Sequence, residues 1–189
     1  QQQFVETIRS NVMRMEHLVS DISDISKIRA GRLRLEAKMD MYKNVAMEVE
    51  KKTRDMADEH SHTLIFDTPS GLPLLNLDSV RLAQVLQKLI VNAIQYTPNG
   101  GQIIVRAEGV NGSLKVTVTD NGIGMTPEEK AHVGELFWRA DSDHVRSFKG
   151  HGLGLPIAIG LIKLFGGDFF VESEPGKGST FGFTVPALS

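Results

Sequence analysis

The 189-residue sequence predicts an α+β fold: one sheet with helices on one face, preceded by a long N-terminal helix. Three observations carry that prediction. Apolar residues recur at steps of three and four from Phe4 to Ile28, the period of a helix with one apolar seam. Farther along, two alternating apolar stretches flank Asn111-Gly112, the strongest short hairpin signal a sequence offers. Strand-like and helix-like segments also follow one another without strict alternation, which argues against a wound parallel sheet.

The first helix is expected over residues 4 to about 35, with Phe4, Ile8, Val12, Met15, Val19, Ile22, Ile25 and Ile28 on its seam. At 1.5 Å per residue it is roughly 45 Å long, more than a small domain can cover. The seam therefore asks for a partner helix, and folding back on its own domain is the alternative. Gly31 marks the start of unwinding. A second helix runs over residues 42 to 60, with Val45, Val49 and Met56 on one side. Residues 63–67 read as a strand closed by the turn Pro69-Ser70-Gly71. Asp78 is a natural N-cap for a third helix that turns Leu82, Val85, Leu86, Leu89, Ile90 and Ala93 inward. It ends near Tyr96, before Pro98-Asn99-Gly100-Gly101. Residues 102–108 and 113–119 form the hairpin. The glycine-bearing segment after Asp120 is too long for an ordinary connection and reads as a lid or binding loop. A last helix over about 156–165 breaks at Gly166-Gly167, and strands near 168–174 and 180–185 close the chain.

Composition excludes several functions. Charge is nearly balanced, 21 Lys and Arg against 23 Asp and Glu, and no basic stripe marks a nucleic-acid groove. Cysteine is absent, which removes disulfides, thiolate metal sites and thiol nucleophiles. The histidines at 17, 60, 62, 132, 144 and 151 include no i, i+4 pair around a Glu, so no zinc site is expected, and His17 reads as an ordinary helix histidine. Apolar runs of a few residues predict no bilayer span or membrane contact, and no charged-then-apolar leader opens the chain. A cytoplasmic piece is expected, whose parent is free to carry a membrane anchor.

Three stretches can carry chemistry. Lys88, Asn92 and Tyr96 recur at four-residue spacing opposite the buried stripe, as a ligand face or as a solvated helix side. Asp120-Asn121-Gly122-Ile123-Gly124 follows a strand, where a carboxylate can accept from a base and glycines permit close approach, or it is simply a turn. Gly150-His151-Gly152-Leu153-Gly154-Leu155-Pro156 opens a helix and offers free N–H groups to an anion. Its spacing is not the dinucleotide fingerprint, and Lys177 is followed by Gly178, so no P-loop exists.

The order of Asn92-Ala93-Ile94-Gln95-Tyr96-Thr97-Pro98, Asp120-Asn121-Gly122-Ile123-Gly124-Met125, Phe137-Trp138-Arg139, the 150–155 glycines and Gly178-Ser179-Thr180-Phe181 resembles the ATP-binding domain of sensor histidine kinases. That domain belongs to the superfamily shared with gyrase, Hsp90 and MutL. Residues 13–35, with Leu18-Val19-Ser20-Asp21 and Ser26-Lys27-Ile28-Arg29-Ala30-Gly31, resemble the second helix of the family's dimerisation hairpin. The resemblance implies two parts, a dimerisation-hairpin helix over 1–38 and an ATP-binding domain over 39–189. The second would be a two-layer α/β sandwich with a mostly antiparallel mixed sheet, the Bergerat-type fold. It further implies ATP and Mg²⁺ as cofactors, with Asn92 as catalytic residue and metal ligand. Asp120 would accept from the adenine amino group, with Thr180 supporting that edge through water. Tyr96 would pack by the nucleotide, Gly122 and Gly124 would let the chain pass near the base, and Gly150, His151, Gly152, Leu153, Gly154 and Leu155 would surround the phosphates.

The implied reaction is transfer of the γ-phosphoryl of ATP to a histidine, then relay to a response-regulator aspartate. The implied partners are a second copy through the N-terminal helix, a helix bearing the phosphoacceptor histidine, and a receiver domain. Departures qualify this. Lys88 stands where family members carry a second Asn and ATP-hydrolysing relatives a Glu, which argues against efficient hydrolysis and offers a phosphate contact. Gly134 replaces the first Phe of the lid's Phe-x-x-Phe, leaving Phe137 to anchor the lid. His151 replaces a small hydroxyl residue. No His-Glu-x-x-x-Pro string occurs, so the phosphoacceptor belongs to a helix outside this sequence. The alternative is a degenerate, weakly active nucleotide-binding or dimerising module.

Overall fold

The computed structural model describes residues 2–140 and 150–188; His144 and part of the predicted lid lie outside them. Helix α1 (Gln2–Arg29) leads, then β1 (Lys38–Met41), α2 (Tyr42–Glu59), β2 (Thr63–Asp67), β3 (Leu74–Leu77) and α3 (Ser79–Tyr96). After these come β4 (Gln102–Val110), β5 (Ser113–Asp120), α4 (Pro127–Ala131), α5 (Gly154–Leu164), β6 (Phe169–Glu174) and β7 (Gly178–Pro186). Five strands form one sheet in the order β2-β4-β5-β7-β6, parallel only between β2 and β4. The predicted α+β fold is what the chain adopts.

Alternation sorts the sheet's faces. Ile103, Val105 and Ala107 of β4, Leu114, Val116 and Val118 of β5, and Phe181, Phe183 and Val185 of β7 are buried under the helices. Against them lie Leu82, Val85, Leu86, Leu89, Ile90 and Ala93 of α3, with Ile157, Leu161 and Ile162 of α5. Asp78 caps α3: its carboxylate accepts from the N–H groups of Arg81 and Glu36, both at 3.0 Å. In the hairpin, Asn111 and Gly112 both take positive φ, 49° and 76°, as the tight turn between right-twisted strands requires.

Three elements absent from the sequence expectation appear: β1, β3 and α4. β1 pairs antiparallel with β3, from Lys38 opposite Leu77 to Met41 opposite Leu74. The short α4 is fixed by Thr126, whose hydroxyl accepts from the Glu129 N–H while the Glu129 carboxylate accepts from the Thr126 N–H.

The first helix is shorter than expected and its seam is divided. With Gly31 at φ +63°, the N–H of Arg32 returns to the Lys27 carbonyl at 2.8 Å and closes the helix at Arg29, leaving Leu33 and Leu35 beyond it. Leu18, Ile25 and Ile28 pack on the core, and Ile28 lies over Gly160 of α5. Phe4, Ile8, Val12, Met15, Val19 and Ile22 remain exposed. The C-terminal end of α1 thus folds back on the domain, while its upper seam is uncovered.

Candidate functional site

Because α3 buries its apolar stripe against the sheet, Lys88, Asn92 and Tyr96 emerge together on the other side. There they border a cavity of about 470 Å³. The opposite wall is the glycine run: Gly150, His151, Gly152, Leu153, Gly154 and Leu155 all border the same space. α5 begins at Gly154, so the positive end of its dipole and its unsatisfied N–H groups open there. Leu153 has its side chain in the core, which leaves its backbone to face the cavity. A larger groove of about 930 Å³ between α1, α2 and α3 contains none of the predicted site residues.

Asn92 makes no side-chain hydrogen bond among the described residues, which leaves its amide available to a ligand. Burial pushes the Tyr96 phenol above its ordinary range, opposed by the Arg139 guanidinium beside it. Arg139 in turn donates to the Gly150 carbonyl at 3.1 Å, joining α3's end to the glycine run.

Asp120 ends β5, buried to 5 % exposure. The N–H groups of Gly122 and Ser179 donate to its Oδ1 at 2.9 and 3.2 Å, and Oδ2 takes neither. Burial outweighs these bonds and raises its pKa to about 6. Asp120 does not itself border the cavity; Ser179, its partner across the β5–β7 pair, does.

Two expectations need correction. Thr180 is on the wrong face: it pairs with Thr119 on the exposed side of the sheet, hydroxyl to hydroxyl at 3.0 Å, and Ser179 holds the position beside Asp120. The parity of β7 carries the signal, since inward Phe181, Phe183 and Val185 put Ser179 inward and Thr180 outward. Gly122 and Gly124 are also required by the protein itself, and Gly124 borders the cavity. A Cβ at Gly122 would lie 2.3 Å from the Tyr96 carbonyl oxygen, and one at Gly124, with φ +66°, 2.0 Å from that of Glu174. Finally, among the described residues Phe137 does not pack as an anchor. It is 63 % exposed with φ +63°, whereas its neighbour Trp138 borders the cavity and stacks on His132 at 5.5 Å. Gly134 takes φ +90°, and a Cβ there would meet the end of the Ile159 side chain at 2.7 Å.

The structure adds one wall that sequence reasoning did not assign. His17, Ser20 and Asp21 of α1 border the cavity, and Asp21 grips Lys88, Nζ to Oδ1 at 2.6 Å and to Oδ2 at 2.7 Å. Their spacing beside Leu18 and Ile25, which pack on the domain, was the available sign.

Residues 77–189 match the family described as "Histidine kinase-, DNA gyrase B-, and HSP90-like ATPase". The chain is 34% identical over 97% of its length to the non-motile and phage-resistance protein of Caulobacter vibrioides, of which it spans 22%. It is 30% identical over 98% of its length to histidine protein kinase DivJ of the same organism, spanning 31% of it. Among solved structures, full-length ShkA in complex with AMPPNP matches all of this chain at a TM-score of 0.87 and 26% identity, with 39% of ShkA covered. The chain therefore spans between a fifth and a third of the length of these two curated relatives.

Proposed function

Because this chain belongs to the histidine kinase-, DNA gyrase B- and HSP90-like ATPase family, as the catalytic domain of a sensor histidine kinase, we propose that its cavity binds Mg-ATP for phosphoryl transfer to a histidine on a helix outside this sequence. The observation that carries the reading is the convergence on one cavity of an uncommitted Asn92, Tyr96 and the N-terminus of α5, with buried Asp120 one hydrogen bond behind the wall. The residue set suits an adenine nucleotide. Asp120 Oδ2 accepts from the exocyclic amine, Ser179 fixes that carboxylate, and Tyr96 packs beside the ligand. The N–H groups of residues 152–154 and the dipole of α5 receive phosphate oxygens.

Among the described residues no cluster of three or more acidic or histidine side chains exists, so an ion here would rest on the Asn92 amide oxygen, phosphate and water. That donor set fits Mg²⁺, which favours few protein ligands. When bound, the ion would neutralise charge on the phosphates. In the transfer, a histidine ring nitrogen forms the new P–N bond as the bond to the β-phosphate oxygen breaks, ADP departs, and the ring N–H proton leaves to solvent. Relay to a response-regulator aspartate, and pairing of two copies through the exposed seam from Phe4 to Ile22, complete the reading. No described helix is long and apolar enough to cross a membrane.

Thermal unfolding with and without Mg-ATP tests it, followed by incubation with a His-bearing dimerisation helix supplied in trans. Saturating ATP should raise Tm by roughly 5–10 °C, a shift lost in Asn92→Ala and Asp120→Asn, and acid-labile phosphate should appear on the helix. The hold of Asp21 on Lys88 favours a second reading, a weakly active dimerising module, which predicts no shift at millimolar ATP.

A further inference from the structure

Lys88 is shared ground between α1 and the cavity. Its ammonium is held bidentately by Asp21, at side-chain exposures of 24% and 20%. Its stem meanwhile lies along the start of α5, where a Cβ on Gly154 would fall 3.5 Å from Lys88 Cδ. Among the described residues the cavity is bordered by two strong cations, Lys88 and Arg139, and by two carboxylates, Asp21 and Glu135. Arg139 is already committed to Gly150 and Glu135 to His132. Lys88 is thus a cation at the opening of α5 whose one partner among the described residues, Asp21, belongs to another element.

We propose that Asp21 and the phosphates of a bound nucleotide compete for Lys88, so that docking of α1 and occupancy of the cavity oppose each other. This rests on the nucleotide reading above. A polyphosphate at the start of α5 draws the ammonium toward it and leaves Asp21 an uncompensated, mostly buried carboxylate facing a polyanion. The remaining attachments of this end of α1 lie farther along the helix: Asp24 accepts from Arg81 at 2.8 Å and from Gln84, at the cavity's edge, at 2.7 Å, and Ile28 sits on Gly160. Thermodynamic reciprocity then requires that the factor by which docked α1 weakens nucleotide binding equals the factor by which nucleotide weakens docking.

The test uses calorimetric binding of ATP and of adenosine to the parent chain, Asp21→Asn, Lys88→Met and the double variant. The chain contains no cysteine, so Glu6→Cys with Lys163→Cys places spin labels on α1 and α5 alone. Asp21→Asn should tighten ATP on the order of tenfold, leave adenosine unchanged, and lose its effect in the Lys88→Met background. ATP, but not adenosine, should broaden the inter-label distances in the parent. ATP binding that is unchanged by Asp21→Asn overturns the proposal and leaves the nucleotide reading intact. So does an Asp21→Asn effect that persists without Lys88, which would be plain charge repulsion, or a label distance indifferent to ATP. If neither ligand binds any variant, the nucleotide reading fails and the competition with it.

Discussion

Ser179 and Asp120 face each other across the β5–β7 pair, and the Ser179 N–H donates to Asp120 Oδ1 at 3.2 Å. The strand pairing itself therefore orients the carboxylate, and its second oxygen takes neither of these two bonds. A buried carboxyl so held titrates late, at about pH 6.

The first prediction concerns pH. The folded pKa of Asp120 lies above the ordinary 3.8, so the folded state binds the extra proton. Its contribution to stability is complete below about pH 4 and is lost as pH rises through 6, on the order of 3 kcal/mol in all. Denaturant melts of the parent and Asp120→Asn across pH 4–8 should differ by that slope. Adenine donates to the ionised carboxylate, so ATP affinity should rise through pH 6 in the parent. A parallel pair of profiles would refute the assignment.

Two glycines of the β6–β7 turn separate strain from collision. Gly176 and Gly178 both have positive φ, but a Cβ on Gly176 meets nothing within 4 Å, while one on Gly178 falls 2.0 Å from the Asp120 carbonyl oxygen. Gly176→Ala should cost about 1 kcal/mol. Gly178→Ala should cost roughly 3 kcal/mol or more and lower Tm by about 10 °C, with loss of nucleotide binding. Equal melting temperatures would show that the turn relaxes freely.

At the other end of α3, Asp78 serves two donors from different segments, the N–H groups of Arg81 and Glu36. Asp78→Ala should destabilise by about 1–2 kcal/mol, measured by urea unfolding, with Asp78→Asn between it and the parent. Because the Glu36 bond ties down the stretch after α1, amide exchange at residues 33–37 should accelerate in the alanine variant. Unchanged exchange there would mean that the bond contributes nothing to the stretch.

Asp24 is 6 % exposed and accepts from both Arg81 and Gln84 of α3. Asp24→Ala should loosen α1, whose Leu18, Ile25 and Ile28 rest on the core, without opening the domain beneath. Hydrogen exchange should speed up on the order of tenfold at residues 18–28 and remain unchanged at residues 86–94. Acceleration in both segments would instead make α1 part of the domain's cooperative unit.

Periodicity and turn chemistry made most elements legible, because α3, the hairpin and α5 each carry their own local signals. What escaped depends on distant partners. β1 is four residues, mostly exposed, and exists because β3 pairs with it. α4 did have a local signal, the Thr126-Pro127-Glu128-Glu129 capping box, too short to show a period. For the site, Asn92, Tyr96 and the 150–155 glycines converge from their own elements, whereas choosing Ser179 over Thr180 needed strand parity. The Asp21–Lys88 pair spans 67 positions, a distance no local pattern encodes.

Held at its lower end and free along its upper seam, α1 is a lever. Phe4 lies nearly five turns above Asp21, about 25 Å along the axis at 1.5 Å per residue. A tilt of about 10° at the Lys88 contact would sweep Phe4 sideways by some 4–5 Å, close to one helical pitch. A contact a few ångströms wide at the cavity is thereby geared to a displacement large enough to re-register whatever packs on the upper seam.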